Sequence, residues 1–137
     1  MIPDTTKKGE YACLKFEIRA IEKGAIVSKP SCECSYDRVL DYQGKMYRVQ
    51  IKYADASSSC SEGAVQATIG KAAKEKGYHK PYDENEIDVI VVYLPKLDKL
   101  CWFEKDIWKD KKKLQIRYED PKNNQKKGCR LASDYIW

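Results

Sequence analysis

The chain has 137 residues, 42% hydrophobic and 34% charged, with a formal net charge of +5. That is apolar material for one domain with a real core, and too much for a disordered chain. No run approaches the ~18 apolar residues of a membrane helix, and residues 1–9 hold no signal-peptide core, so a cytoplasmic protein without a membrane partner is expected.

Residues 10–23 carry Tyr11, Leu14, Ile18 and Ile21 at three- and four-residue steps and stop at Gly24, which predicts a helix buried along that stripe. Glu10, Cys13 and Glu17 form a second stripe at its edge, where acids can look into a cleft. Residues 25–35, with Pro30, read as a connection. Residues 36–53 read as a hairpin. Its second arm puts Tyr47, Val49, Ile51 and Tyr53 on one face and Arg48, Gln50 and Lys52 on the other. The turn falls at Gln43-Gly44, where glycine supplies positive φ. Residues 54–63 are small and polar, a loop. Val65, Ile69, Ala72 and Ala73 predict a second helix over 62–76. The apolar run Ile87–Leu94 predicts a buried central strand, and residues 100–103 and 114–118 predict further short strands. The order α-β-β-α-β-β makes a single α/β domain over 1–137, with a basic extension over 104–137 and no internal repeat.

Pairing Tyr42 with Lys45 sets Asp37 opposite Gln50, with Lys52 one diagonal step away on the same face. An acid, an amide and a lysine then converge within reach of one small ion or phosphate, as in the core of a metal-dependent nuclease. The plainer alternative is a cross-strand Asp37–Lys52 salt bridge on a solvent face, stabilising by at most about 1 kcal/mol. The six cysteines are expected as free thiols in a reducing compartment. Cys32 and Cys34 lack the second ligand pair of a structural zinc site. One histidine and the absence of G-x-S-x-G or Walker patterns turn the reading away from histidine, serine or nucleotide chemistry.

The positive charge is concentrated. Residues 104–130 hold ten Lys/Arg against five Asp/Glu. Lys109, Lys111, Lys112, Lys113, Arg117, Lys122, Lys126, Lys127 and Arg130 are interleaved there with Trp108 and Tyr118. Polyanion binding is one reading and a solvated face is the other. Joined to the hairpin, the first is preferred, with Lys111, Lys112, Lys113, Arg117 and Arg48 as DNA-contacting candidates.

Lys8-Gly9-Glu10, the Asp37 strand and Gln50-Ile51-Lys52 resemble the PD-(D/E)xK nuclease superfamily over roughly residues 7–104, most closely the cyanobacterial group I intron homing endonucleases of that class. Archaeal Holliday-junction resolvases share the opening lysine-glycine helix. The resemblance implies a restriction-endonuclease-like core, a mixed sheet flanked by helices. It implies Mg²⁺-dependent hydrolysis of double-stranded DNA at a long, specific target, as in intron homing. Glu10, Asp37, Gln50 and Lys52 would be catalytic, the first three as metal ligands. Tyr36 stands where the pattern has proline, Gln50 where it has a second acid, and Cys13 where resolvase-like relatives place the helix glutamate. Glu10 is then the substitute and Glu17 the reserve. Cutting two strands takes two sites, so a homo-oligomer is expected, a tetramer by resemblance or else a dimer. The alternatives are a resolvase-like, structure-specific nuclease and a non-catalytic DNA-binding protein.

Overall fold

The computed structural model describes residues 4–55, 62–72, 79–119 and 130–137. Helix α1 spans Thr5–Glu22, longer at its start than its apolar spacing alone indicates. Asp4 stands in extended backbone before it and accepts a hydrogen bond from the Lys7 N–H at 2.8 Å, satisfying one of the orphan donors of the first turn. At the other end Gly24 adopts φ 77°. Its N–H donates to Ile21 O, and the Ala25 N–H donates to Ala20 O, a Schellman closure that only a left-handed residue permits cheaply.

The main sheet has the order β1-β2-β3-β7-β8. It consists of β1 (Ile26–Ser28), β2 (Arg38–Tyr42), β3 (Lys45–Tyr53), β7 (Val89–Leu94) and β8 (Lys99–Glu104). All neighbours are antiparallel except β3 and β7, which run parallel, so the sheet is mixed. Strand β7 is buried throughout, as its unbroken apolar run requires, but β3 holds the middle of the sheet and β7 lies between it and the edge strand β8. The hairpin turns at Gln43 and Gly44 with φ 51° and 78°, the two positive angles of a type I′ turn. Its register pairs Tyr42 with Lys45 and Arg38 with Val49, as the sequence implies.

Each face of the sheet carries its own core. On one, Ala12, Cys13, Phe16 and Ala20 of α1 pack against Leu40, Val49, Ile51, Val89 and Val91. On the other, Ile90, Val92, Leu94 and Phe103 meet a two-stranded ribbon of β4 (Ala64–Thr68) and β9 (Lys113–Arg117), together with Trp108 of the short helix α2 (Lys105–Trp108). A smaller ribbon pairs β5 (Gly70–Ala72) with β6 (His79–Pro81). The last residues line the edge of β8, where the Trp102 N–H donates to Tyr135 O and the Trp137 N–H to Leu100 O. That cover shields the strand's open edge, and Trp137 stacks between Phe16 and Trp102.

Three expectations change. The second helix over 62–76 is absent from its described part, which forms β4 and β5 instead. Val65, Ala67 and Ile69 are buried at every second position, and pairing with β9 decides a segment whose spacing fits either period. Residues 26–28 of the expected connection form β1. The buried face of α1 is also not the expected one. Tyr11, Leu14, Ile18 and Ile21 are 39%, 48%, 56% and 73% exposed, while the small Ala12 and Ala20 let the helix settle closely on the sheet around Phe16.

Candidate active site

Asp37 immediately precedes β2 and extends its ladder. Its N–H donates to Val49 O at 2.9 Å, and its Oδ2 accepts from the Ile51 N–H at 2.9 Å. These bonds hold Asp37 opposite Gln50, as the turn register requires. Gln50 and Lys52 pair with Ile90 and Val92 of β7, so both project to the same side of the sheet as the β4–β9 ribbon. Glu10 comes from α1. It lines, with Asp37, Gln50 and Cys13, an open cleft of about 400 Å³ whose other wall is the 29–36 segment.

Lys52 stands beside this group rather than on the cleft wall. Burial lowers its pKa from the ordinary 10.5, and the Asp37 carboxylate acts against that shift. Its Nζ lies 4.9 Å from the centre of the Tyr82 ring. Burial pushes the Tyr82 hydroxyl well up, with the Asp37 charge adding to it, while a hydrogen bond accepted from the Gln50 amide works the other way. Tyr82 is thus the residue that sequence reasoning missed. It lies in a Lys-Pro-Tyr-Asp stretch without strand or helix period, and only its place between Gln50 and Lys52 reveals it.

The two helix acids part company. Arg38, 5% exposed, gives its Nε to Glu17 Oε1 at 2.8 Å and a further N–H to Asp37 O at 2.7 Å, and lies 3.7 Å from Glu10 Oε1. Burial opposes its charge, but the Glu17 hydrogen bond and the surrounding acids outweigh that and raise its pKa. Glu17 is therefore occupied by a buried arginine and does not line the cleft, whereas Glu10 does.

The donor chemistry of the cleft fits a hard divalent cation. Burial, with the Asp37 charge next, pushes the Cys13 thiol up to about 12, so without a metal it stays protonated near neutral pH. The remaining donors, Asp37, Glu10 and the Gln50 amide, are oxygens, the ligands that Mg²⁺-type ions take. Among the described residues no three His, Cys, Asp or Glu side chains form a ready metal cluster. The amide stands where a third charge would be.

Of the basic candidates, Lys111, Lys112 and Lys113 are exposed at the start of β9. Arg48 is engaged elsewhere. Its Nε and one terminal nitrogen bind both Asp88 oxygens at 3.0 and 2.9 Å, and the other binds Asn85 O at 2.8 Å. Arg117 donates to Glu119 O and Glu62 O. Lys122, Lys126, Lys127, Cys60, Cys129 and the 57–61 loop lie outside the described residues. Among the described residues no helix is long and apolar enough to cross a membrane.

A family model described as PD-(D/E)XK endonuclease matches residues 3–137. Among solved structures, that of a bacterial homing endonuclease, I-Ssp6803I, superposes with a TM-score of 0.79 at 24% identity, covering 98% of this chain and 89% of that one. No curated protein matches the sequence.

Proposed function

The chain belongs to the PD-(D/E)XK endonuclease family, and from that premise we propose that it is a Mg²⁺-dependent, sequence-specific endonuclease of double-stranded DNA with a long target site, in the manner of a homing endonuclease. The observation that carries the reading is Asp37 held opposite Gln50, with Lys52 two residues further on the same face and Glu10 across the cleft. Similarity of fold to a bacterial homing endonuclease supports the homing part.

Phosphodiester hydrolysis needs an in-line water, charge neutralisation at the phosphate and support for the developing oxyanion. Asp37 and Glu10 would hold Mg²⁺ through carboxylate oxygens, and Gln50 through its amide oxygen. The ion would neutralise the scissile phosphate. Lys52, half-buried beside Tyr82 and Asp37, would orient the attacking water and offset charge on the phosphate. Glu17 serves Arg38 instead, and Arg48 clamps β3 to the turn before β7.

One such site cuts one strand, so both strands require two copies, and a homo-oligomer with twofold symmetry follows. The exposed stripe Leu14, Ile18 and Ile21, continued by Ile136 beside Ile18, is the apolar surface that a second copy would cover. By likeness to its class the assembly is a tetramer.

The deciding experiment joins the DNA from either side of the gene into one intronless segment and incubates it with the protein, with and without Mg²⁺. A single Mg²⁺-dependent double-strand cut is expected, and Asp37→Asn should bind that DNA but leave it whole. Cutting of four-way junctions alone would make the protein a resolvase. Binding without cleavage of any DNA would make it a non-catalytic reader.

A further inference from the structure

Part of the lining of the cleft that Glu10 shares is the segment between β1 and β2, which carries two cysteines separated by Glu33. Cys32 and Cys34 are both exposed free thiols, and both line the same cleft as Asp37 and Gln50. The Cys34 Sγ donates to Tyr36 O at 3.3 Å, which ties the segment down next to Asp37. Cys13, on the cleft floor, and Cys101, in the opposite core, are buried. Among the described cysteines only the wall pair is open to reagents. Lys29, exposed on the same wall, forms no ion pair among the described residues.

We propose that Cys32 and Cys34 form a thiol-modification site, taking a small peptide disulfide of the glutathione class, and that the adduct closes the cleft over Glu10, Asp37 and Gln50. The closing step rests on the reading of the cleft as a metal-binding site; the thiol chemistry does not. A cysteine sulfur, having given up its proton, attacks one sulfur of glutathione disulfide. A new protein–glutathione S–S bond forms, the old S–S bond breaks, and the departing glutathione thiolate takes up the proton. The oxidant is the disulfide itself. A cleft of about 400 Å³ is in the size range that holds small-molecule ligands, roughly 300–1,000 Å³, so a tethered tripeptide fills it while a methylthio group does not. Lys29 offers a cation to the adduct's carboxylates.

The test treats the whole protein with excess glutathione disulfide, maps adducts by peptide mass spectrometry, and measures Mn²⁺ binding by electron paramagnetic resonance. The expected result is an adduct on the peptide holding Cys32 and Cys34. Mn²⁺ affinity should fall at least about tenfold, a change of about 1.4 kcal/mol, and return with dithiothreitol. Methyl methanethiosulfonate should modify the same pair and leave Mn²⁺ binding intact. The double variant Cys32→Ser/Cys34→Ser should bind Mn²⁺ like the wild type and ignore glutathione disulfide. The proposal is overturned if that peptide stays unmodified or forms an internal Cys32–Cys34 disulfide. An adduct without effect on Mn²⁺, or a double variant that still responds, overturns it equally. If the untreated protein takes up no Mn²⁺, the reading of the metal site fails, and the mass map alone judges the thiol site.

Discussion

Lys52 sits between opposed influences, and each has a measurable consequence. Burial lowers its pKa from 10.5 and Asp37 partly restores it. Cleavage that needs the cation is supported below the folded pKa and lost as pH rises through it. The pH–rate profile at saturating Mg²⁺ should therefore bend down below the ordinary lysine value, and a profile that stays level through that value would remove Lys52 from the chemistry. On stability the sign differs. Between the lowered folded pKa and the unfolded one, the unfolded chain binds more protons, so folding gains as pH rises across that window and Lys52 weakens the fold below it. The same residue thus costs stability under the conditions in which it would work. Gln50 offers a second test. Gln50→Glu restores a charged ligand, and Mg²⁺ titration of cleavage should show equal or tighter metal use. Gln50→Leu should weaken it by about 10–100-fold, the loss typical of disturbed ligand shells. Equal tolerance of both would make Gln50 a bystander.

At the scale of elements, the contact that fixes α1 against β2 is Arg38 with Glu17. Glu17→Ala leaves a buried guanidinium with the Asp37 carbonyl and, as its remaining carboxylate, only the more distant Glu10, and should cost about 2–3 kcal/mol in urea unfolding. Glu10→Gln, at an exposed position, should change stability by less than about 0.5 kcal/mol yet suppress metal-dependent cleavage. The reverse pattern would exchange the two roles. The hairpin was legible because glycine at one place in the turn fixes every later pair. Asp37 opposite Gln50 follows from arithmetic on Gly44. The helix face was not legible, because large apolar residues mark a stripe whether a partner molecule or the core covers it, while the residues that touch the sheet include two alanines. Strand β4 was misread since Val65 and Ile69 satisfy periods of both two and four. Arg38 was invisible for another reason. Nothing in its neighbours announces that an arginine turns inward, and only tertiary pairing with Glu17 makes it tolerable.

Over the whole molecule, the proposed activity requires a surface that holds DNA and more than one copy of the chain. Lys111, Lys112 and Lys113 are exposed together at the start of β9. If they touch phosphates, each should contribute about one unit to the slope of log affinity against log salt. Neutralising all three should flatten that slope and weaken specific and nonspecific DNA alike, with single-turnover cleavage at saturating protein little changed. An unchanged slope would leave them as a solvated face. Assembly is tested on α1. Ile18→Glu, placed on the exposed stripe and away from the cleft, should shift the mass seen by light scattering toward the monomer while circular dichroism at room temperature shows the chain still folded. A monomeric wild type, or an oligomer indifferent to this change, would move the interface elsewhere.

The parallel pairing of β3 with β7 has a consequence for the order in which the chain acquires its shape. Strand β3 finds β2 across a two-residue turn, an event of microseconds, whereas β7 can join only after residues 54–88 have looped round, which is entropically slow. The backbone scaffold of the Asp37–Gln50 pair is therefore local and early, and the half-buried setting of Lys52 is late. During synthesis the nascent hairpin presents its acid and lysine to water as an ordinary surface pair, with one edge of β3 unpaired until β7 emerges. The setting that would distinguish a catalytic lysine from one arm of a surface salt bridge is thus acquired only after the hairpin itself.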